Sequence, residues 1–322
     1  MLQIAAVHGY ALPGPWGSGD DEYYEKWGDI YTPGATAGTL TWSIAPDGTG
    51  LDPAFPNQDV SGVSSLHAIM SGLGHASAMA AIERCFDRWA AATNVYFVQI
   101  ADTGVAFGAP TALYPNTGHI RLGAFSISNF SGGGIRYGVS PFGSAPLDGD
   151  LILNANSTFF FDDGGEGELI DQFNDFESLL MHEIGHTLGL GHSDVPSVMS
   201  VDWASIQYVN RELDPDDIAG IQFLYGPALK ADFDRDNDVD ADDLGIWKTN
   251  FGASGAVKAT GDANGDGKVD GSDFLNWQRE FSMPAAATAG ATSVPEGAAV
   301  TLAGIALIGL AATRRLSTAW RQ

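Results

Sequence analysis

One stretch narrows the possibilities for this chain more than any other: Phe176-Glu-Ser-Leu-Leu-Met-His-Glu-Ile-Gly-His-Thr-Leu-Gly-Leu-Gly-His-Ser-Asp194. Asn174 or Asp175 can cap its start, and Leu179, Leu180, Ile184 and Leu188 form an apolar stripe, so it reads as a helix with one buried face. His182 and His186 lie four residues apart, one turn along the same face, which suits two imidazoles on one metal ion. Glu183 sits beside the first of them, placed to take a proton from a water at the metal without being a ligand. Gly189 can adopt the left-handed conformation that ends a helix, letting the chain turn back so that His192 becomes the third ligand. Three protein ligands leave one position open, which is the arrangement of a catalytic rather than a structural zinc site. The bare five-residue His-Glu-x-x-His pattern also occurs on ordinary surface helices, but Gly189 and His192 at fixed offsets argue against that reading here.

Composition excludes several other functions. The 322 residues carry 40 acids against 15 Lys and Arg, a net charge of −25, too few cations to cover a nucleic-acid backbone. A single Cys rules out an internal disulfide framework and any Cys-rich metal cluster. That residue, Cys85, lies in a predicted amphipathic helix from Ala76 to Ala92, where Met79, Ile82, Phe86 and Trp89 recur at helical spacing, and it reads as a small core residue. Short strands are predicted at Thr39 to Ile44, Val95 to Ile100, His119 to Phe125 and Leu151 to Asn154. Strands bracketing a helix and followed by further helices make an α/β or α+β domain.

Charge is concentrated in residues 231–273, with 11 acids against 4 bases. Asp232, Asp234, Asp236, Asp240 and Asp243 stand at positions 1, 3, 5, 9 and 12 of a loop, with Asp238 at position 7. The pattern returns 30 residues later in Asp262, Asn264, Asp266, Asp270 and Asp273, with Lys268 at position 7. Side-chain oxygens at these positions and a backbone carbonyl from position 7 can wrap one Ca²⁺ per loop, two in all. Position 6 needs an unusual backbone angle, which Asn237 and Gly267 tolerate. Leu244, Trp247 and Phe251 follow the first loop at the offsets that Phe274, Trp277 and Phe281 follow the second, predicting a small all-α domain of paired EF-hand-like loops. A linker over 283–296 then precedes an uncharged apolar run from Gly297 that ends in Arg314-Arg315, read as a transmembrane or sorting helix over 297–315. Residues 1–35 read as irregular and lack the basic start and apolar run of a secretory signal.

These motifs resemble known families. His182 to Asp194, with Ser193 directly after the third His and Met199 beyond it, resembles the zinc motif and Met-turn of the matrixins, a group of metzincin proteases. Asp214-Pro-Asp-Asp-Ile-Ala-Gly-Ile-Gln-Phe-Leu-Tyr-Gly226 is similar to the last helix of their catalytic domain, and by that resemblance Asp217 buttresses the Met-turn. The likeness covers residues 36–227 and implies an α+β (α/β-like) domain with a twisted sheet and three main helices, and an exported zinc endopeptidase whose protein or peptide substrate binds extended along an edge strand, for which Leu151 to Asn154 is the candidate. In it His182, His186 and His192 hold one Zn²⁺, Glu183 acts as general base, and Met199 and Gly189 give structural support. The family's second, structural zinc is not assigned, because Ile152 stands where a His is expected and His119 alone is no site. The paired loops at 230–282 resemble a type I dockerin, which implies a cohesin-like partner; a calcium-stabilised spacer is the alternative. Val294-Pro295-Glu296, the apolar run and the Arg pair resemble the PEP-CTERM sorting signal, which implies exosortase processing, transient membrane anchoring and the cell surface of a Gram-negative-type bacterium. The competing function is a surface binding or assembly protein whose zinc domain is not catalytic, and retention of Glu183 argues against it.

Overall fold

Alternating and fully apolar runs separate the strands of this chain into edge and centre. In the computed structural model, which describes residues 24–53, 55, 57–109, 117–128, 134–136, 149–170, 174–200 and 208–281, β1 (Gly38–Ile44), β3 (Val95–Gln99), β4 (Ile120–Ile127), β5 (Gly134–Arg136) and β6 (Asp150–Asn154) form a mixed sheet in the order β3-β1-β4-β6-β5. β2 (Val60–Ser61) is a short antiparallel partner of β4. All pairings along the main path are parallel except the last, β5 with β6. β6 is buried at all five positions, as a parallel strand covered on both faces should be.

The assignment of Leu151–Asn154 as the edge strand is therefore corrected. β6 pairs with β4 on one side, Leu122 opposite Leu151, and with β5 on the other, Ile135 opposite Ile152, so the outer strand is β5. The Gly-rich run that leads into it, Ser131 to Gly134, carries no strand pattern.

Helix α1 (Leu66–Leu73) was not anticipated, although Leu66, Ile69, Met70 and Leu73 carry a one-face helical pattern. Gly74, at φ 86°, breaks it from α2 (His75–Ala92). α2 and α3 (Phe176–Thr187) lie on one face of the sheet, where Trp42, Phe86, Trp89, Leu122, Leu153, Leu180 and Ile184 share a core. The other face carries a smaller core of Phe55, Phe107, Phe125, Ile127 and Ile152. Cys85 is fully buried, its thiol pushed well up by burial, so it is a core residue and no nucleophile.

α4 (Pro215–Tyr225) closes the first half, with Asp214 as N-cap and Pro215 at the first turn. Beyond it, α5 (Ala241–Asn250) and α6 (Gly271–Glu280) each follow an acidic loop and share a core of Phe233, Val239, Ala263 and, from α6 itself, Trp277. All described residues belong to one compact unit. The predicted apolar helix at 297–315 lies outside the described residues, and among those described no helix is long and apolar enough to cross a membrane.

Candidate metal centre

Helix α3 is buried along its whole length, so its polar residues must be matched one by one. Asp175 is the N-cap: one carboxylate oxygen accepts from Ser178 N at 2.9 Å and Ser178 Oγ at 2.7 Å. Burial pushes the Asp175 carboxyl up, but the Arg211 guanidinium and the Ser178 hydrogen bonds outweigh it and hold it below the usual range. Glu177 in the first turn is gripped by Arg84 and Arg88 of α2. The two arginines that flank Cys85 in sequence thus anchor the zinc helix.

The helix ends in a Schellman turn. Gly189, at φ 97°, donates to His186 O, and Leu190 donates to Gly185 O at 3.1 Å. A Cβ on Gly189 would collide with the Glu25 carbonyl, so glycine is required by contact as well as by angle. The turn brings His192 back over the helix: one ligand nitrogen from each of His182, His186 and His192 lies within 4.8 Å of the others, and the Nε2 atoms of His186 and His192 are 3.1 Å apart. Tetrahedral zinc with bonds of about 2.0–2.1 Å wants its nitrogens about 3.3 Å apart, so the donor set fits that ion.

Backbone carbonyls fix the ring tautomers. His182 Nδ1 faces Val198 O and His186 Nδ1 faces Leu190 O, both at 2.7 Å. A carbonyl can only accept, so each Nδ1 carries the proton and each Nε2 keeps its lone pair for a metal. These carbonyl partners escaped sequence reasoning, since a backbone oxygen leaves no mark in residue type.

Met199 packs on α3 at Gly185, the residue before His186. A Cβ at Gly185 would overlap its sulfur and come within 2.8 Å of the Trp89 ring, so the missing side chain lets the turn pack directly on the helix. Val198 N and Met199 N donate to the two oxygens of the buried Asp217 at 3.0 and 3.1 Å, and Asp214 N donates to it as well. Ser193 N donates to Met199 O, and Ser193 Oγ to Asp216, tying the segment after His192 to the same turn. Glu183 is buried beside His182.

His119 is held apart from this site. Its Nδ1 accepts from Thr41 N, its ring packs edge-on to Trp27, and burial lowers its pKa. Among the described residues it joins no cluster of metal-ligand type, and Ile152 belongs to the smaller core.

The acidic loops repeat in three dimensions. Asp232 accepts from the amides of Arg235, Asp236 and Asn237, and Asp262 from those of Gly265, Asp266 and Gly267. Asp243 and Asp273 each reach back to the amides two and three positions into their own loop, and each closes a capping box on its exit helix. Position 6 has positive φ in both, 79° at Asn237 and 79° at Gly267. Carboxylates of Asp232, Asp234 and Asp236 converge, as do those of Asp238, Asp240 and Asp243. Position 7 is Asp238 in the first loop and Lys268 in the second; the Lys268 amide donates to Asp266.

Loop 1 is docked on β3. Tyr96 Oη donates to Asp232 at 2.7 Å and accepts from Lys258 Nζ at 2.9 Å, while Arg235 lies over the Tyr96 ring and Asn94 donates to Asn237 O. A cleft of about 680 Å³ opens beside this contact, lined by Tyr96, Leu229, Lys230, Arg235 and Lys258, at the β3 end of the sheet and not at the histidines.

Comparison with known proteins places these features in a family. The family model described as Matrixin matches residues 63–226, just over half of the chain. Metalloendoproteinase 1-MMP of Arabidopsis thaliana is 30% identical over 155 residues, 47% of this chain and 38% of that protein. Matrilysin of Rattus norvegicus is 54% identical over 50 residues, 15% of this chain and 19% of that protein. Matrix metalloproteinase-16 of Homo sapiens is 26% identical over 171 residues, 52% of this chain and 26% of that protein. The chain spans well under half the length of these relatives. With the triad His182, His186 and His192 in catalytic zinc geometry inside the matched segment, the chain belongs to the matrixin family of metallopeptidases.

Proposed function

We propose that this protein is a zinc-dependent endopeptidase, and the observation that carries the reading is the histidine triad with two of its tautomers fixed by Val198 O and Leu190 O. Zinc held by His182, His186 and His192 would polarise a peptide carbonyl and acidify a water. Glu183 takes the proton of the attacking water and returns it to the leaving amine nitrogen. Met199 supplies the apolar floor that holds the three rings in place, and Asp217 fixes the turn that carries it. An extended peptide pairs with β5, the outer strand next to α3, through backbone hydrogen bonds. Dialysis against a chelator is expected to abolish cleavage of a mixed peptide library, and one equivalent of zinc to restore it; cleavage that survives full zinc removal would overturn the reading.

The two acidic loops each bind one Ca²⁺, supported by their matched hydrogen-bond patterns and, in the first loop, by the crowding of its carboxylates. Asp234 is pushed up to about 6, by burial first and then by Asp243 and Asp236, and Asp238 and Asp243 are raised as well. Groups whose folded pKa exceeds the unfolded value bind more protons when folded, so without a cation stability rises as pH falls from above 6 towards 4. In a chelator the melting temperature should therefore be higher at pH 5 than at pH 7.5, and millimolar calcium should reverse the order. A melting temperature at pH 7.5 that ignores calcium would remove the ion from both loops. A cohesin-like partner for residues 230–282, exosortase processing of the tail and work at the cell surface complete the proposal, resting on sequence resemblance.

A further inference from the structure

The C-terminus of α3 leaves four carbonyls without partners inside the helix, and each finds one. Gly185 O and His186 O are taken by Leu190 N and Gly189 N in the Schellman turn. Thr187 O accepts from Trp27 Nε1 at 2.9 Å, and Leu188 O from Tyr225 Oη at 2.8 Å. The two outside donors are themselves joined, since Trp27 N donates to Tyr225 Oη at 3.0 Å. Trp27 is wedged in place by His119 and by Gly149, where a Cβ would meet its ring. The strand of chain that carries it is tied into a knot by Lys26, which is buried and donates to Asp29 O, Thr32 O and Ala35 O at 2.9, 3.2 and 2.8 Å. The Glu25 carbonyl of that knot lies directly against Gly189.

Everything downstream of this contact belongs to the metal site. Leu190 O orients His186, and His192 follows two residues later. We infer that Trp27 and Tyr225 are positioning residues for the third ligand: by closing the last two carbonyls of α3 they hold the Gly189–His192 turn in the one arrangement that presents His192 to the ion. The inference rests on the zinc reading above and assigns residues 24–36, which lie before the sheet, a part in metal retention. A partner bonded directly to a metal ligand is worth about 10- to 100-fold in metal affinity; Trp27 and Tyr225 bond Thr187 O and Leu188 O, one step further out, so the lower end of that range sets the expected size.

The test uses the full chain loaded with zinc, following transfer of the ion to a chromogenic chelator. Trp27→Phe keeps an aromatic ring but loses the N–H donor together with part of the indole's packing; Tyr225→Phe loses only the hydroxyl. Each is expected to release zinc about tenfold faster than the wild type, and the double variant less than a hundredfold faster, because both act on one turn. Phe107→Leu, in the smaller core on the opposite face of the sheet, should lower the melting temperature and leave the release rate unchanged. Release at the wild-type rate from both single variants overturns the inference, as does equal acceleration in Phe107→Leu, which would mark a loss of general stability. Tyr225→Phe serves alone if Trp27→Phe does not fold. A wild-type chain that takes up no zinc at the histidines refutes the zinc reading itself.

Discussion

A Glu183→Gln chain is expected to keep its zinc and to cleave peptides about 10²- to 10⁴-fold more slowly than the wild type. Gln has the shape of Glu and can still accept a hydrogen bond, but it cannot take a proton from water. The three ligands are histidines on the same helix and its terminal turn, and the tautomers of His182 and His186 are set by backbone carbonyls that this substitution leaves alone. Zinc content and turnover are therefore expected to separate. Metal analysis beside a single-turnover cleavage assay decides the matter: wild-type turnover would remove Glu183 from the proton path, and parallel loss of zinc would make it a support for the ligands instead.

The second large effect is expected from Asp217→Ala. This carboxylate is fully buried and accepts three backbone N–H groups, from Val198, Met199 and Asp214. Removing it leaves buried donors unpaired at about 1–3 kcal/mol each, so a total loss of about 3–5 kcal/mol is expected, near the upper end for single substitutions. Val198 is also the residue whose carbonyl orients His182, so zinc affinity should fall with stability. Urea unfolding with and without zinc measures both. A loss below 1 kcal/mol would mean that water replaces the carboxylate, and the Met-turn would owe its shape to packing on Gly185 alone.

The zinc site was legible because its ligands obey helical spacing. His182, His186 and Gly189 are local to one helix, and His192 follows from the turn that Gly189 permits. The loop repeat was legible for the same reason, since a 12-residue ion loop is written contiguously. What escaped was everything set by chain crossing. Arg211 reaching Asp175 spans 36 residues, and Arg84 reaching Glu177 spans 93, and neither distance has a sequence period. The outer strand was misplaced because β5 is three residues long and Gly-rich, while β6 reads as a strong strand whichever side its partners lie on. α1 carried a readable pattern over only two turns, the length at which helical periodicity is weakest.

The bond from Tyr96 of β3 to Asp232, with Arg235 and Lys258 of the second half closing on the same tyrosine, makes the join between the two halves a seam and not a hinge. Burial and its bond to Asp232 push the Tyr96 hydroxyl well above its ordinary pKa, so it stays a donor across the physiological range. Anything that grasps the half with the acidic loops thereby sets the direction in which the histidine site points. Under the endopeptidase reading proposed above, the chain would then work through a fixed angle of attack on its surroundings, choosing among peptide bonds by where they stand as well as by their side chains.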